Sequence, residues 1–448
     1  MGRKPVHLVF VENSSKGDGK DHNKFYDMYE ENGMCCCRYG RIQDKHVFGE
    51  SGKLVTYPLS QWDKQYNEKV AKGYKDKTFL LEENISAVKE VDSDGDVYAP
   101  IENKNIKVLV ERLQKLANDT INENYKINSK DVTRAMIDEG QRLIDELTYI
   151  FNSAKITENK KKIFVLDMFN LYRFNDILEE LFATIPRSMR KVSMYLISED
   201  NPEYIYFKKN PKKFIENMIQ KEQDLLDIMR GQIITPVRGQ KVKTVKGDKK
   251  TILEINGIKI EEASPQDIAE VQRKLGSNAH RLINVWKIEN EKQTKAFEKY
   301  RMEEGIPLRA CKKLFHGTRS ENVWSILKTG LVLRPTNAVL TGSMFGRGIY
   351  FAPSSSKSLG YTSLSGSYWA KGHAKTGFMI LHSVAYGKPY VVDSFDSKYY
   401  NFDYRALRKA CPGAHCLHAD SSKGMLRNDE IVVYKEEQIM PLYLIEIG

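Results

Sequence analysis

Five side chains in the last third of the sequence are of types that do chemistry together. His316 stands between an apolar pair and a glycine in KLFHGT, the later run GRGIYFAPSSSKSLGY supplies Tyr350, Ser358 and Tyr361, and Glu430 lies in NDEIVVY. Tyrosine stacks on a flat ring while keeping a polar tip, and a glycine backbone with a nearby serine hydroxyl can hold an amide edge. A planar aromatic ligand suits such walls. Taken singly, a histidine or tyrosine in an apolar run is more often a satisfied core residue, so the reading rests on their joint occurrence.

These residues need particular elements to position them. KLFHGT reads as a strand ending at His316, where Gly317 lets a ligand approach the backbone, and GRGIYFA reads as a second strand. Between them, Val323, Trp324, Ile326 and Leu327 recur at helical spacing, with Gly330 placed to stop the helix. The two strands are expected side by side, so that His316 and Tyr350 project into one crevice. Along NDEIVVY, side chains alternate: Glu430 and Val432 point one way, Asp429 and Ile431 the other. One carboxylate, rather than the acid and base pair of most glycosidases, enters the cleft.

HGTRSENVWSILKTGL, TGSMFGRGIYFA, SKSLGY and NDEIVVY resemble, in order and at compatible spacing, the ADP-ribosyltransferase domain of the poly(ADP-ribose) polymerase family. The resemblance implies NAD as co-substrate, no required metal, and a working set of His316, Tyr350 and Glu430. It further implies that Gly317 and Ser358 grip the nicotinamide amide, that Tyr361 stacks on its ring, and that Thr318 and Asn322 line the adenosine side. Phe351 and Lys357 complete the expected NAD-binding set. Nicotinamide leaves from a positively charged pyridinium and needs no proton, so a single glutamate suffices to polarise the incoming hydroxyl. Arg334 falls two positions later than an arginine the family commonly uses at the adenosine end, and the stretch before Glu430 that shapes the acceptor site is compact.

A chain of 448 residues, 41% hydrophobic, is long enough for two to four cores. Its formal net charge of +11 favours an anionic partner. Six cysteines, three of them adjacent at Cys35, Cys36 and Cys37, do not make a disulfide framework and point to a reducing compartment. The first residues lack the apolar run of a secretory signal and the Ser or Thr of a myristoylation site, and no 18 apolar residues run together. No internal repeat is visible.

Residues 1–100 read as a small β-rich domain followed by an acidic connector, Glu82–Asp96. Lys69, Lys72, Lys75 and Lys77 gather around Tyr74, a composition suited to phosphates with a ring for stacking, although from charge alone a solvated helix face is the better reading. NKFY, then RYGR, then the lysine-rich segment closing in KDKTF resemble the WGR domain of DNA-dependent polymerases of the same family, with Tyr39 where the family has tryptophan. That resemblance implies contact with broken DNA through Tyr39, Arg41, Lys72, Tyr74 and Lys75. Asp92, Asp94 and Asp96 have the wrong spacing for a calcium loop.

Residues 101–235 carry helical periodicity, with Leu109, Leu113 and Leu116 and then Val132, Met136, Leu143, Leu147 and Ile150 in register, and Ser129 as a candidate N-cap. Two further helices are expected, one stopped at Pro186 and one started at Pro211. The bundle resembles the family's regulatory helical domain, which implies control of NAD access by local opening. A basic connector leads into a mixed α+β domain, residues 236–448, where SPQDIAEVQRKLG reads as a helix capped by Ser264. Cys411, His415, Cys416 and His418 are zinc-ligand types, but their spacing fits no standard finger and no metal is assigned.

The sequence thus reads as a multidomain α+β protein: a WGR-like domain, an all-α bundle and an ADP-ribosyltransferase domain. The expected function is DNA-break-activated poly-ADP-ribosylation of itself and nearby acceptor proteins in the nucleus, with an accessory factor for serine acceptors. A mono-transferase of the same fold and a non-enzymatic DNA-end scaffold are the alternatives.

Overall fold

The computed structural model describes residues 3–13, 21–42, 46–80, 98–125, 132–153, 168–187, 189, 191–207, 210–231, 250–333, 344–368, 370–399, 402–424 and 426–448. The acidic connector with Asp92, Asp94 and Asp96, the candidate cap Ser129, the basic connector 232–249 and Arg334 lie outside the described residues. Two compact units are present. The first consists mainly of Met1–Ser93 and Asn118–Ile233, the second of Asp94–Ala117, Ile234–Thr336 and Gly342–Gly448.

In the first unit, strands β1 (Val6–Glu12), β2 (His22–Glu31), β3 (Met34–Arg41), β4 (Lys53–Pro58) and β5 (Lys75–Asp76) form a sheet in the order β4-β3-β2-β1-β5. Antiparallel pairing sends alternate side chains to opposite faces. Leu8, Tyr26, Met28, Cys35 and Cys37 share a core with Trp62 of helix α1 (Trp62–Ala71). Val9, Phe25 and Ile42 face the other way and meet Ala183. All three adjacent cysteines are therefore buried thiols, and burial pushes the Cys35 and Cys36 thiols up. The hairpin joining β2 to β3 turns on Asn32 and Gly33, both at positive φ, as an Asn-Gly turn requires.

Four longer helices follow: α2 (Lys104–Asn124), α3 (Arg134–Ser153), α4 (Met168–Thr184) and α5 (Pro211–Arg230). Helix α5 starts where Pro211 predicts, with the Asn210 side chain accepting from the Lys213 N–H. Met136, Leu143, Leu147 and Ile150 of α3 are buried as their spacing predicts. Gly140 of α3 brings the backbone close to Ile185 and Leu226: a Cβ there would meet both side chains at 3.1 Å. Among these apolar contacts lies a buried ion pair, Arg187 to Glu222, whose side chains are 3% and 6% exposed.

The N-terminal part of α2 belongs to the second unit. Ile106, Leu109, Val110 and Leu113 make one apolar stripe, buried with Trp286, Trp324, Phe378 and Leu444. Each such side chain, fully buried, contributes about 1.5–3 kcal/mol.

The rest of the second unit is mixed α+β, as expected. Strands β6 (Ile258–Glu262), β7 (Leu282–Asn290), β8 (Lys312–Thr318), β10 (Gly377–Val384) and β14 (Ile439–Ile447) form one antiparallel sheet, ordered β6-β7-β14-β10-β8. Strands β9 (Ile349–Phe351), β11 (Pro389–Val392), β12 (Cys416–Ala419) and β13 (Glu430–Val433) form a second sheet, ordered β11-β12-β13-β9. Helix α6 (Pro265–Leu275) opens with a reciprocal cap between Ser264 and Asp267. Helix α7 (Glu291–Glu303) follows β7, helix α8 (Val323–Thr329) ends at Gly330 with φ 83°, and the short helix α9 (Ser355–Leu359) follows β9.

One expectation changes here. β8 continues through His316 to Thr318, and β8 and β9 are not neighbours within one sheet but the edges of two. A single antiparallel bridge, Phe315 to Ala352, with hydrogen bonds of 2.9 and 3.0 Å, stitches the edges together. The cleft residues sit along this seam.

Candidate active site

His316 projects from β8 and its Nδ1–H donates to the carbonyl of Tyr350 across the seam at 3.1 Å. That bond selects the tautomer and makes Nε2 the accepting nitrogen. Behind His316 lie Phe351, 5.9 Å between ring centres, and the buried His382, 6.2 Å away. Burial, helped by His316 nearby, pushes the His382 imidazole down to about 3, so it is neutral. Alternation along β9 explains Phe351: with Ile349 it enters one core, so it forms the wall behind His316 instead of presenting an open face to a ligand. Tyr350 faces the other way. Its hydroxyl donates to the Gly346 carbonyl at 2.8 Å and accepts from the Phe345 N–H at 3.0 Å, fixing the loop before β9.

Gly317 has a steric reason to be glycine. A Cβ at that position would stand 1.9 Å from the Ser358 carbonyl oxygen. The two residues expected to hold one amide are thus in backbone contact, with Ser358 buried on α9. Thr318 is buried and its Oγ1 accepts from Asn322 Nδ2 at 3.4 Å, so the expected adenosine-side pair is also adjacent.

Glu430 opens β13, whose Val432 is paired with Tyr350 of β9. Its Oε1 is in ion-pair contact with Lys357 of α9, and its buried Oε2 has no hydrogen-bond partner among the described residues. Tyr361, 37% exposed, has its phenol pushed up to about 12 by burial and by the Glu430 charge. Asp429 turns away to Ser421 and His418, as strand alternation predicts. His316, Tyr350, Lys357, Ser358, Tyr361 and Glu430 therefore belong to one constellation spanning both sheets.

Sequence comparison bears on the segment that carries these residues. Residues 260–448 match the family profile described as the poly(ADP-ribose) polymerase catalytic domain. This segment is an NAD+ ADP-ribosyltransferase domain. Over 214 residues the chain is 27% identical to the uncharacterized protein 101L of Invertebrate iridescent virus 6, covering 48% of this chain and 73% of that protein. The putative poly [ADP-ribose] polymerase-like 100L of the same virus is 29% identical over 172 residues, covering 37% of this chain and 85% of that protein. The poly [ADP-ribose] polymerase of Drosophila melanogaster is 30% identical over 164 residues, covering 37% of this chain but 15% of the fly enzyme.

Glu430 Oε2, a buried acceptor without a hydrogen-bond partner among the described residues, suits a ribose hydroxyl, and the Ser358 carbonyl packs directly against the Gly317 backbone. The site offers electrostatic help to a ribose with oxocarbenium character, while the leaving pyridinium takes no proton.

The pairing of Lys357 with Glu430 and the place of His382 behind His316 carry no sequence signature. Lys357 precedes Ser358 on a one-turn helix, and nothing in its spacing reveals a partner 73 residues away. Arg112 bonds Glu446 at 2.5 Å and Thr376 at 2.6 Å, a structural contact likewise without a sequence signature.

Among the described residues, Cys411, His415, Cys416 and His418 fall in no grouping of three metal-ligating side chains. Cys416 Sγ–H donates to the Tyr386 carbonyl, His418 Nδ1 meets the Tyr386 hydroxyl, and His415 Nδ1 accepts from the Lys388 N–H. In the first unit, Arg41 and Lys72 are exposed and Tyr39 is half-buried, with Lys69 5.7 Å over its ring. Tyr74 is packed against Phe10 at 5.3 Å, and the Lys75 ammonium is tied to Glu180. Of the five candidate nucleic-acid contacts, Tyr39, Tyr74 and Lys75 are engaged within the protein, while Arg41 and Lys72 stand exposed.

Proposed function

We propose that the chain is a poly-ADP-ribosyltransferase switched on by broken DNA, which moves ADP-ribose from NAD to itself and nearby proteins and then to ribose hydroxyls. The observation that carries the catalytic part is the backbone contact of Gly317, next to His316, with Ser358, next to the Lys357 that pairs with Glu430. A three-part organisation, with a WGR-like region over 1–100, a regulatory helical region over 101–235 and the transferase over 236–448, supports the DNA-dependent part by its resemblance to such polymerases. Arg41 and Lys72 are the contacts best presented to a phosphate backbone.

Regulation, on this reading, runs through local opening of the helical region, where the buried ion pair of Arg187 with Glu222 adds little net stability because desolvation offsets attraction. On this reading the enzyme works in the nucleus, needs no metal for transfer, and uses an accessory factor when serine is the acceptor. Nicotinamide release by the full chain, measured with and without nicked duplex DNA, tests the proposal. DNA should raise turnover at least tenfold and yield a ladder of products on a gel. Turnover indifferent to DNA contradicts the switch, and a single discrete product means mono-transfer.

A further inference from the structure

We propose a structural zinc site in the first unit, built from His7, Asp27 and His46. His7 comes from β1 and Asp27 from β2, while His46 follows β3. His7 Nδ1 lies 2.6 Å from Asp27 Oδ1 and His46 Nε2 lies 2.8 Å from Asp27 Oδ2. Their ligand atoms all fall within 4.8 Å of one another, the one such grouping of three among the described residues.

Three observations point to a metal. The first is chemical: two imidazoles and one carboxylate are a zinc ligand set, with a fourth position left for water. The second is geometric. Metal to nitrogen bonds of about 2.0–2.1 Å put each ring centre about 3.2 Å from the ion, so two imidazoles at a tetrahedral angle have centres about 5 Å apart. The His7 and His46 ring centres are 5.0 Å apart.

The third is the setting. The three side chains are 6%, 0% and 9% exposed, and aromatic rings enclose them: Phe25 lies 4.3 Å from His46 and Phe48 6.2 Å from His7. The Gly49 N–H donates to Asp27 Oδ2 at 3.2 Å, an outer donor that orients the carboxylate while Oδ1 takes the metal. Without metal the histidine nitrogens donate to Asp27. With zinc those nitrogens become ligands, and each neutral ring carries its proton on the other nitrogen. So enclosed a site holds structure rather than catalysing, tying the segment after β3 to the paired strands β1 and β2.

The test uses the full chain, expressed with zinc and purified without chelator. Metal content by mass spectrometry should be about one zinc per chain, and thermal unfolding should fall by several degrees on stripping with chelator and recover with Zn2+. His46→Gln should lose both the zinc and the shift. His46→Cys separates a metal site from a purely hydrogen-bonded one: a thiolate ligates zinc but does not hold Asp27 as imidazole does, so zinc retention near one per chain is expected. Cobalt(II) added to the stripped protein should give the visible absorption of a tetrahedral site. Wild-type protein with no more zinc than His46→Gln, or no shift on adding Zn2+, overturns the proposal and leaves a hydrogen-bonded His-Asp-His cluster. Neither readout depends on transferase activity.

Discussion

Lys357 and Glu430 form an ion pair inside the cleft, with side chains 11% and 14% exposed. The lysine comes from the helix after one edge strand and the glutamate from the strand beside it, so the pair ties α9 to the second sheet. Removing one partner of such a pair leaves the other charge poorly compensated.

Lys357→Met should therefore lower kcat by roughly 10- to 100-fold while the protein stays folded, because Glu430 loses its orientation. Lys357→Arg should recover part of the loss. Steady-state nicotinamide release, with circular dichroism as the folding control, decides the point.

Gly317→Ala tests the floor of the cleft. The added methyl collides with the Ser358 carbonyl, so β8 and α9 must separate. KM for NAD should rise at least tenfold, with a fall of several degrees in Tm. Unchanged KM would mean the backbone contact plays no part in binding.

Asp267 offers a pH prediction. Hydrogen bonds from Tyr443 and Ser264 hold its carboxyl down to about 2. Because the folded value lies below the unfolded one, near 4, its contribution is complete above about pH 4 and disappears as pH falls toward 2. The group is partly solvated, so the effect is discounted to about 1 kcal/mol. Urea titrations of wild type and Asp267→Asn should differ by that amount at pH 7 and converge near pH 2.

Arg187→Met should destabilise the helical region by about 3–5 kcal/mol, since Glu222 is left buried and uncompensated. The double variant Arg187→Met with Glu222→Leu should recover most of that loss. Hydrogen exchange across α3 and α5 reads the effect directly.

Local signals made much of this structure legible. The cap at Ser264, the helix start at Pro211, the stop at Gly330 and the alternation that turns Glu430 away from Asp429 are all determined within a few residues, so short-range stereochemistry decides them. Long-range pairing was not legible. No feature of KLFHGT reveals that β8 and β9 close the edges of different sheets, and nothing near Lys357 announces Glu430. Phe351 was expected at the ligand, yet the same period-two rule that placed Glu430 correctly puts it in the core. Tyr74 and Lys75 were read by composition, which reports charge and rings but not the Phe10 and Glu180 that engage them.

The account depends most on Glu430 acting on NAD in this cleft. The most direct measurement is nicotinamide release and transfer of labelled ADP-ribose by the full chain, compared with Glu430→Gln at matched folding. The account predicts turnover in the wild type and a loss of at least 100-fold in the variant, which keeps the side chain's shape but not its charge. Equal rates in both proteins, or no NAD consumption by the wild type, would contradict it.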